Sequence, residues 1–397
     1  MRAFALARRK RELHVSFYRY IGLPALMAGA LAGGSVGLTQ RGDILALMKK
    51  ANAWQVAHPI VRVEDAPGGV GGDRNWERAT WYTGVMAAWQ ATGDQGFYDQ
   101  ALAWGRHHQW QVGTEQNNGA NRLFCVETWA QLYFATKDRA MIEPAIRWLD
   151  TKASNTPAGA RRWYITGPDR DDPAALRSKE EGVRVYVDSL YGASALAMLA
   201  KATGDRKYLE IMHAFFEDVT AELFDRDAGL YYRDGRFRGR RTAQGRKILW
   251  SRGNGWAFAG IARILEYLPE SDPKRGEYIG IYKRMAAELV RRQRADGLWS
   301  PNLDDPRDID LPETSGTGFF TYGMAWGINH GVLSRDAYLP VVDRAWAGLA
   351  ANVSPEGKVL WGQVVDNQPH RLEREDTHEY VTGTFLLAGS EVYKLAR

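Results

Sequence analysis

Val185-Tyr186-Val187-Asp188-Ser189-Leu190-Tyr191-Gly192-Ala193-Ser194-Ala195 joins a carboxylate to a small-residue helix start. Starts of the same style occur at Trp81-Tyr82-Thr83-Gly84, Cys125-Val126-Glu127-Thr128, Gly253-Asn254-Gly255-Trp256, Ser315-Gly316-Thr317-Gly318 and Val381-Thr382-Gly383-Thr384. Aligned on Gly192, Gly255, Gly318 and Gly383, four of them are spaced 63, 63 and 65 residues apart. Such a long period marks a repeated supersecondary unit. Between the starts lie amphipathic runs such as Lys283 to Arg294, with Met285, Leu289 and Val290 on one face and charges on the other. Six apolar helices alternating with six amphipathic ones predict an all-α (α/α)6 barrel, an inner ring of helices within an outer one. An open solenoid of hairpins has the same periodicity. In a barrel the glycines would gather at one end, where close backbone approach leaves room for a cleft. Asp188 would stand on that rim.

The rest of the chain agrees with one helical body. From Asp43 onward, Ile44, Leu45, Leu47, Met48, Ala51 and Trp54 follow three- and four-residue spacing. Leu230-Tyr231-Tyr232 and Lys358-Val359-Leu360-Trp361 read as short hairpins in loops. No linker divides residues 42–397, which are expected to form a single domain. Residues 1–41 read as a signal peptide or N-terminal leader: a basic segment ending near Arg19, then the apolar, glycine-rich Ile21 to Leu38. That order predicts a periplasmic or secreted protein, with the cytoplasm as the second reading.

The leader also explains the charge. The chain's net charge is +5, but residues 1–41 carry seven basic side chains and one acid, leaving 45 basic and 46 acidic residues in the body. Nothing there suggests a nucleic-acid surface. The single cysteine, Cys125, lies between Phe124 and Val126 and reads as a buried thiol. The eight histidines show no ligand spacing, so no metal is expected. No phosphate loop, nucleophile elbow or dinucleotide fingerprint is present, and no cofactor is implied. What remains is acid–base chemistry on a small molecule.

Asp188 admits two readings. Asp is favoured at helix N-caps, and a carboxyl among valines, leucines and tyrosines has its pKa pushed upward, as suits a proton donor near neutral pH. Trp250-Ser251-Arg252-Gly253-Asn254-Gly255-Trp256 is the densest cluster on the expected rim. Arg252 offers a fork suited to a carboxylate, and Trp250 and Trp256 offer flat faces to a sugar. Glu313 reads as a cap and Glu127 as an acid in an apolar run. Arg233-Asp234 reads as a turn pair, with Arg233 reaching the cleft as the lesser reading.

Taken together, these segments resemble the unsaturated uronyl hydrolases of glycoside hydrolase families 88 and 105, especially the rhamnogalacturonyl hydrolases of the latter. The resemblance runs from Ala51-Asn52-Ala53-Trp54-Gln55 to the C-terminus. It is carried by Asp73-Arg74-Asn75-Trp76-Glu77-Arg78, Thr83-Gly84-Val85-Met86, Val187-Asp188-Ser189-Leu190-Tyr191, Trp250 to Trp256, Pro312 to Phe320, and Phe385 to Glu391. It implies an (α/α)6 barrel and an oligosaccharide substrate ending in a 4,5-unsaturated uronic acid, with no stable protein partner. It implies that Asp188 protonates C4 of the vinyl ether and then assists water at C5, that Trp250, Arg252 and Trp256 line the sugar site, and that Asn121 binds substrate with them. Two departures stand out: Asn121, in Gly119-Ala120-Asn121-Arg122, occupies a position where relatives carry a second Asp, and Glu127 stands where they carry Gln. An insertion from Ala158 to Glu181 precedes Gly182-Val183-Arg184. Two other functions fit the same residues: a sugar-binding protein without activity, as Asn121 suggests, and an ordinary glycosidase pairing Asp188 with Glu127 or Glu313.

Overall fold

The computed structural model describes residues 40–60, 72–114, 120–155 and 185–396. The leader up to residue 39, and the segment 158–184, lie outside the described residues.

Helices α1 (Arg41–Ala57), α2 (Trp76–Thr92), α3 (Gln95–His107), α4 (Phe124–Thr136) and α5 (Glu143–Asn155) lead into a single-turn helix α6 (Ser189–Gly192) and α7 (Ser194–Thr203). There follow α8 (Lys207–Leu223), α9 (Ser251–Tyr267), α10 (Arg275–Val290), α11 (Thr314–Asn329), α12 (Arg335–Ala351) and α13 (Glu379–Leu395). One two-stranded antiparallel hairpin, β1 (Phe224–Asp225) with β2 (Leu230–Tyr231), follows α8. A bridge from Val353 to Val359 marks the second short hairpin.

The two kinds of helix differ in wetting. Every residue of α11 from Thr314 to Ile328 is buried. In α10 only Tyr278, Tyr282, Met285, Ala286 and Leu289 are. Helices α2, α4, α7, α9, α11 and α13 form the inner ring, each packed on the next, and α13 returns to pack on α2. This closure decides for a barrel over an open solenoid. The third inner helix is broken at Ala193, between α6 and α7, so Asp188 sits just before its first turn.

The glycines do something other than leave a cleft. A Cβ at Gly84 would meet the backbone of Gly383, with its Cα 3.0 Å away, and a Cβ at Gly383 would lie 2.5 Å from the carbonyl of Thr80. Likewise Gly192 faces the backbone of Ala120 and the Phe124 ring, and Gly318 faces Thr384. These residues let neighbouring inner helices touch, so the space they free is filled by the next helix rather than by a ligand. The helices also begin upstream of some marks: α2 starts at Trp76, placing Gly84 in its interior.

Closure has a polar clasp as well. Arg78 on α2 donates Nε and Nη2 to Glu379 Oε1 at the start of α13 (2.9 and 2.6 Å) and Nη2 to the carbonyl of Ile60. Its Nη1 pairs with Asp73, which also accepts from Trp104 Nε1 (3.1 Å) and contacts His108.

Gly84→Ala, which forces α2 off α13, is expected to destabilise the fold by about 1–3 kcal/mol, as overpacking does. Gly42→Ala, at a position with open space around it, serves as the control and is expected to leave stability unchanged or slightly raised. Urea unfolding of both variants checks this; equal midpoints would show that the glycine contact does not set the closure.

Candidate active site

Asp188 lies at the N-cap position of α6, but its side chain makes no capping hydrogen bond. Of the two readings the sequence allows, the cap is therefore absent. Instead Oδ2 accepts from Arg233 Nε at 3.1 Å, and Oδ1 is buried without a hydrogen-bond partner. The side chain retains 18% exposure, enough for contact with a ligand at the rim.

Arg233 reaches Asp188 because two loops run side by side: Val187 N donates to the carbonyl of Arg233 at 3.0 Å. The Arg233 guanidinium lies 4.2 Å from the centre of the Tyr186 ring and donates Nη1 to Asp234 Oδ2 at 2.8 Å. Asp234 is fully buried and accepts from Arg236 through both oxygens (Nε 3.0 Å, Nη2 2.8 Å). A carboxylate–guanidinium chain thus runs from Asp188 through Arg233 and Asp234 to Arg236. Both readings of Arg233 hold: it forms the turn pair with Asp234 and also reaches Asp188.

The charges set the two carboxyls apart. Burial pushes the Asp188 carboxyl above the usual range; Arg233 and Arg252 pull it down, and Asp234 adds a push upward. Burial also opposes ionisation of Asp234, but Arg236 and Arg233 outweigh it and hold that carboxyl low. Neighbouring carboxyls driven in opposite directions mark an acid and its electrostatic support. Asp188 is the acid.

The cluster from Trp250 to Trp256 surrounds this site but does not present open faces to it. Trp250 and Trp256 are each 2% exposed. Trp250 donates Nε1 to Gln363 Oε1 at 2.9 Å. Trp256 is enclosed by Trp76, Phe124, Tyr191 and Phe319, with ring centres 4.4–5.7 Å away. Arg252 is fully buried and holds a loop: Nη1 donates to the Gln363 carbonyl and to the Tyr380 hydroxyl (3.0 Å), Nη2 to the carbonyls of Val364 (3.0 Å) and Asp366 (3.4 Å). Its fork is committed to backbone, where the sequence reading had it open to a carboxylate. Asn254 clamps β2 through both amide atoms, accepting from Tyr231 N (2.8 Å) and donating to Tyr231 O (2.9 Å). That clamp sets Arg233 two residues onward.

Asn121 opens a 3₁₀ turn, Asn121–Leu123, that packs against α6, so it is brought near Asp188. The two other acids are engaged elsewhere. Glu313 caps α11, accepting from Ser315 N and Gly316 N at 2.7 Å each. Glu127 is fully buried, accepting from Ser194 Oγ (2.7 Å) and Arg263 Nε (2.5 Å). Burial pushes its carboxyl up against the pull of Arg263 and Ser194. Both are fully buried and committed to these contacts, so neither presents an open carboxylate beside Asp188 of the kind ordinary glycoside hydrolysis uses.

Trp76, which the sequence marks only as part of the Asp73–Arg78 segment that carries the resemblance, is partly exposed and stacks on Tyr380 at 5.2 Å. Among the described residues no group of three His, Cys, Asp or Glu side chains is placed to hold a metal ion.

This arrangement has relatives. Residues 45–396 match the profile of Glycosyl Hydrolase Family 88. An unsaturated 3S-rhamnoglycuronyl hydrolase of Formosa agariphila is 30% identical over 367 residues, covering 89% of this chain and 91% of that protein. A protein of the same name from an Alteromonas species is 40% identical over 208 residues, 52% of this chain and 50% of that one. A solved family 88 glycosyl hydrolase from Bacteroides vulgatus, 28% identical, superposes with a TM-score of 0.76 over 90% of this chain and 99% of its own. The unsaturated glucuronyl hydrolase of Bacillus sp. GL1, at 19% identity and a TM-score of 0.63 over 90% of this chain and 96% of its own, shares the fold. With a profile match across nearly the whole described body and a six-hairpin barrel shared with a solved member, this chain belongs to glycosyl hydrolase family 88.

Proposed function

We propose that the protein hydrolyses 4,5-unsaturated uronyl residues from the non-reducing end of lyase-generated oligosaccharides, with Asp188 as its acid. The observation that carries this reading is the state of Asp188: one oxygen held by Arg233, the other buried and unpartnered, the carboxyl raised by burial. The family membership and the names of the Formosa and Alteromonas relatives support the substrate class.

The chemistry suits a single acid. Protonated Asp188 gives its proton to C4 of the vinyl ether, and the positive charge that develops at C5 is shared with the ring oxygen. Water adds at C5, and the Asp188 carboxylate takes the proton that water releases. The hemiketal at C5 then opens, and the neighbouring sugar leaves. One carboxyl gives and recovers one proton, so no second carboxylate is required, unlike ordinary glycoside hydrolysis.

Asp188→Asn is expected to cut the rate of loss of the double-bond absorbance by about 10²–10⁴-fold, the usual worth of positioned acid–base help, with an unchanged circular dichroism spectrum. Parallel assays on saturated disaccharides are expected to show no cleavage by either protein. Normal turnover by the variant, or preference for the saturated sugar, would overturn the reading.

We further propose that residues 1–41 direct export, on the strength of the basic segment followed by an apolar run. Fractionation of cells expressing the full chain, with mass spectrometry of the N-terminus, is expected to find the protein outside the cytoplasm and shortened. An intact N-terminus in the cytosol would contradict it.

A further inference from the structure

A uronic acid brings a carboxylate into the site, and a cation has to meet it. Arg252 would be the first choice by type, but its two terminal nitrogens are occupied by three backbone carbonyls and a hydroxyl. Its remaining Nε is enclosed in a side chain with no exposure. Arg78 is taken by Glu379, Asp73 and the Ile60 carbonyl. Arg236 is taken by both oxygens of Asp234.

Arg233 is different. Its Nε holds Asp188 and its Nη1 holds Asp234, while Nη2 has no hydrogen-bond partner among the described residues. The side chain is 16% exposed, beside an Asp188 side chain that is 18% exposed. We propose that Arg233 is the residue that recognises the C6 carboxylate of the unsaturated uronic acid, using the open Nη2 edge of the guanidinium whose Nε edge holds Asp188. This rests on the uronyl-hydrolase reading given above.

The substrate's own connectivity supports the placement. The carbon that Asp188 protonates, C4, is bonded to C5, and C5 carries the C6 carboxylate. An acid in contact with C4 therefore has that carboxylate beside it, next to whatever group shares its hydrogen bond. Arg233 is that group. It is also preorganised: Asp234 is fully buried beneath it, and the Tyr186 ring lies against its plane. A rigid planar fork suits a carboxylate better than a mobile ammonium does.

The arrangement also couples binding to catalysis. In the empty site Arg233 draws the Asp188 carboxyl downward. A bound carboxylate neutralises that cation, so the substrate itself helps keep the acid protonated when it is needed. Arg252 also draws that carboxyl down, but its donors are committed to the loop at 363–366 and to Tyr380.

The test compares the unsaturated uronyl disaccharide with its C6 methyl ester, which keeps the double bond and the neighbouring sugar. The wild-type chain is expected to prefer the acid in kcat/KM by about 10²-fold or more, since a site built for a polar group rejects the analogue lacking it. Arg233→Met is expected to bring that preference close to one, and Arg233→Lys to leave an intermediate value. Arg252→Lys is expected to keep the preference whatever its rate. If Arg233→Met turns over too slowly to measure, calorimetric binding in the Asp188→Asn background gives the same comparison: acid over ester with Arg233, equal binding with Met. Preference surviving in Arg233→Met, or lost only in Arg252→Lys, overturns the assignment. A wild-type chain that converts neither compound overturns the uronyl-hydrolase reading and the assignment with it.

Discussion

The backbones of Gly84 and Gly383 touch where the last inner helix returns to the first, and the rim is assembled around that contact. A side chain at either glycine would push α2 and α13 apart. The Arg78–Glu379 pair lies at the same junction, buried on the Glu side, and ties in Ile60 and Asp73. A buried pair of this kind is weak evidence for net stability. Its value here is registry, because Trp76 and Tyr380 stack from the two joined helices and form one wall of the rim. Closure and site are therefore one constraint seen at two scales.

On that frame, the segment from Trp250 to Trp256 works as a scaffold. Arg252 fixes the loop at 363–366, Trp250 fixes Gln363, and Asn254 fixes Tyr231. Through Tyr231 it sets the hairpin that carries Arg233 to Asp188. A dense motif of unusual residues need not touch a ligand to matter for chemistry. It can place those that do, as preorganised sites require. Glu127 acts in the same supporting way at greater depth, joining α4, α7 and α9 through Ser194 and Arg263.

The repeat was legible because helix-start spacing survives in one dimension, and it led to the barrel and to Asp188 on its rim. Asp188 stood out because a lone carboxylate in an apolar run is costly without a reason. Arg233 was harder. Its partner lies 45 residues away, and the short hairpin read at Leu230-Tyr231-Tyr232 carries no mark of which loop packs beside it, so the sequence shows only an ordinary Arg-Asp turn. The commitment of Arg252 was hidden for a different reason: its acceptors are backbone carbonyls more than a hundred residues on, and carbonyls carry no residue identity. The glycines were recognised as sites of close approach, but sequence alone cannot say whether a helix or a ligand comes close. Glu313 shows the converse case, a carboxylate whose position before Ser315 and Gly316 already spelled out its capping role.

The claim on which the account turns is that Asp188 works in its protonated form. Burial raises its carboxyl above the usual range, so the acid form is the one populated as pH falls through that raised value. Measuring kcat on an unsaturated uronyl disaccharide across pH tests this directly, because kcat reports ionisations in the substrate complex. The expected rate is present on the acid side and declines as pH rises and the proton leaves Asp188. A rate that instead grows as the carboxylate ionises, as a base or nucleophile would give, contradicts it.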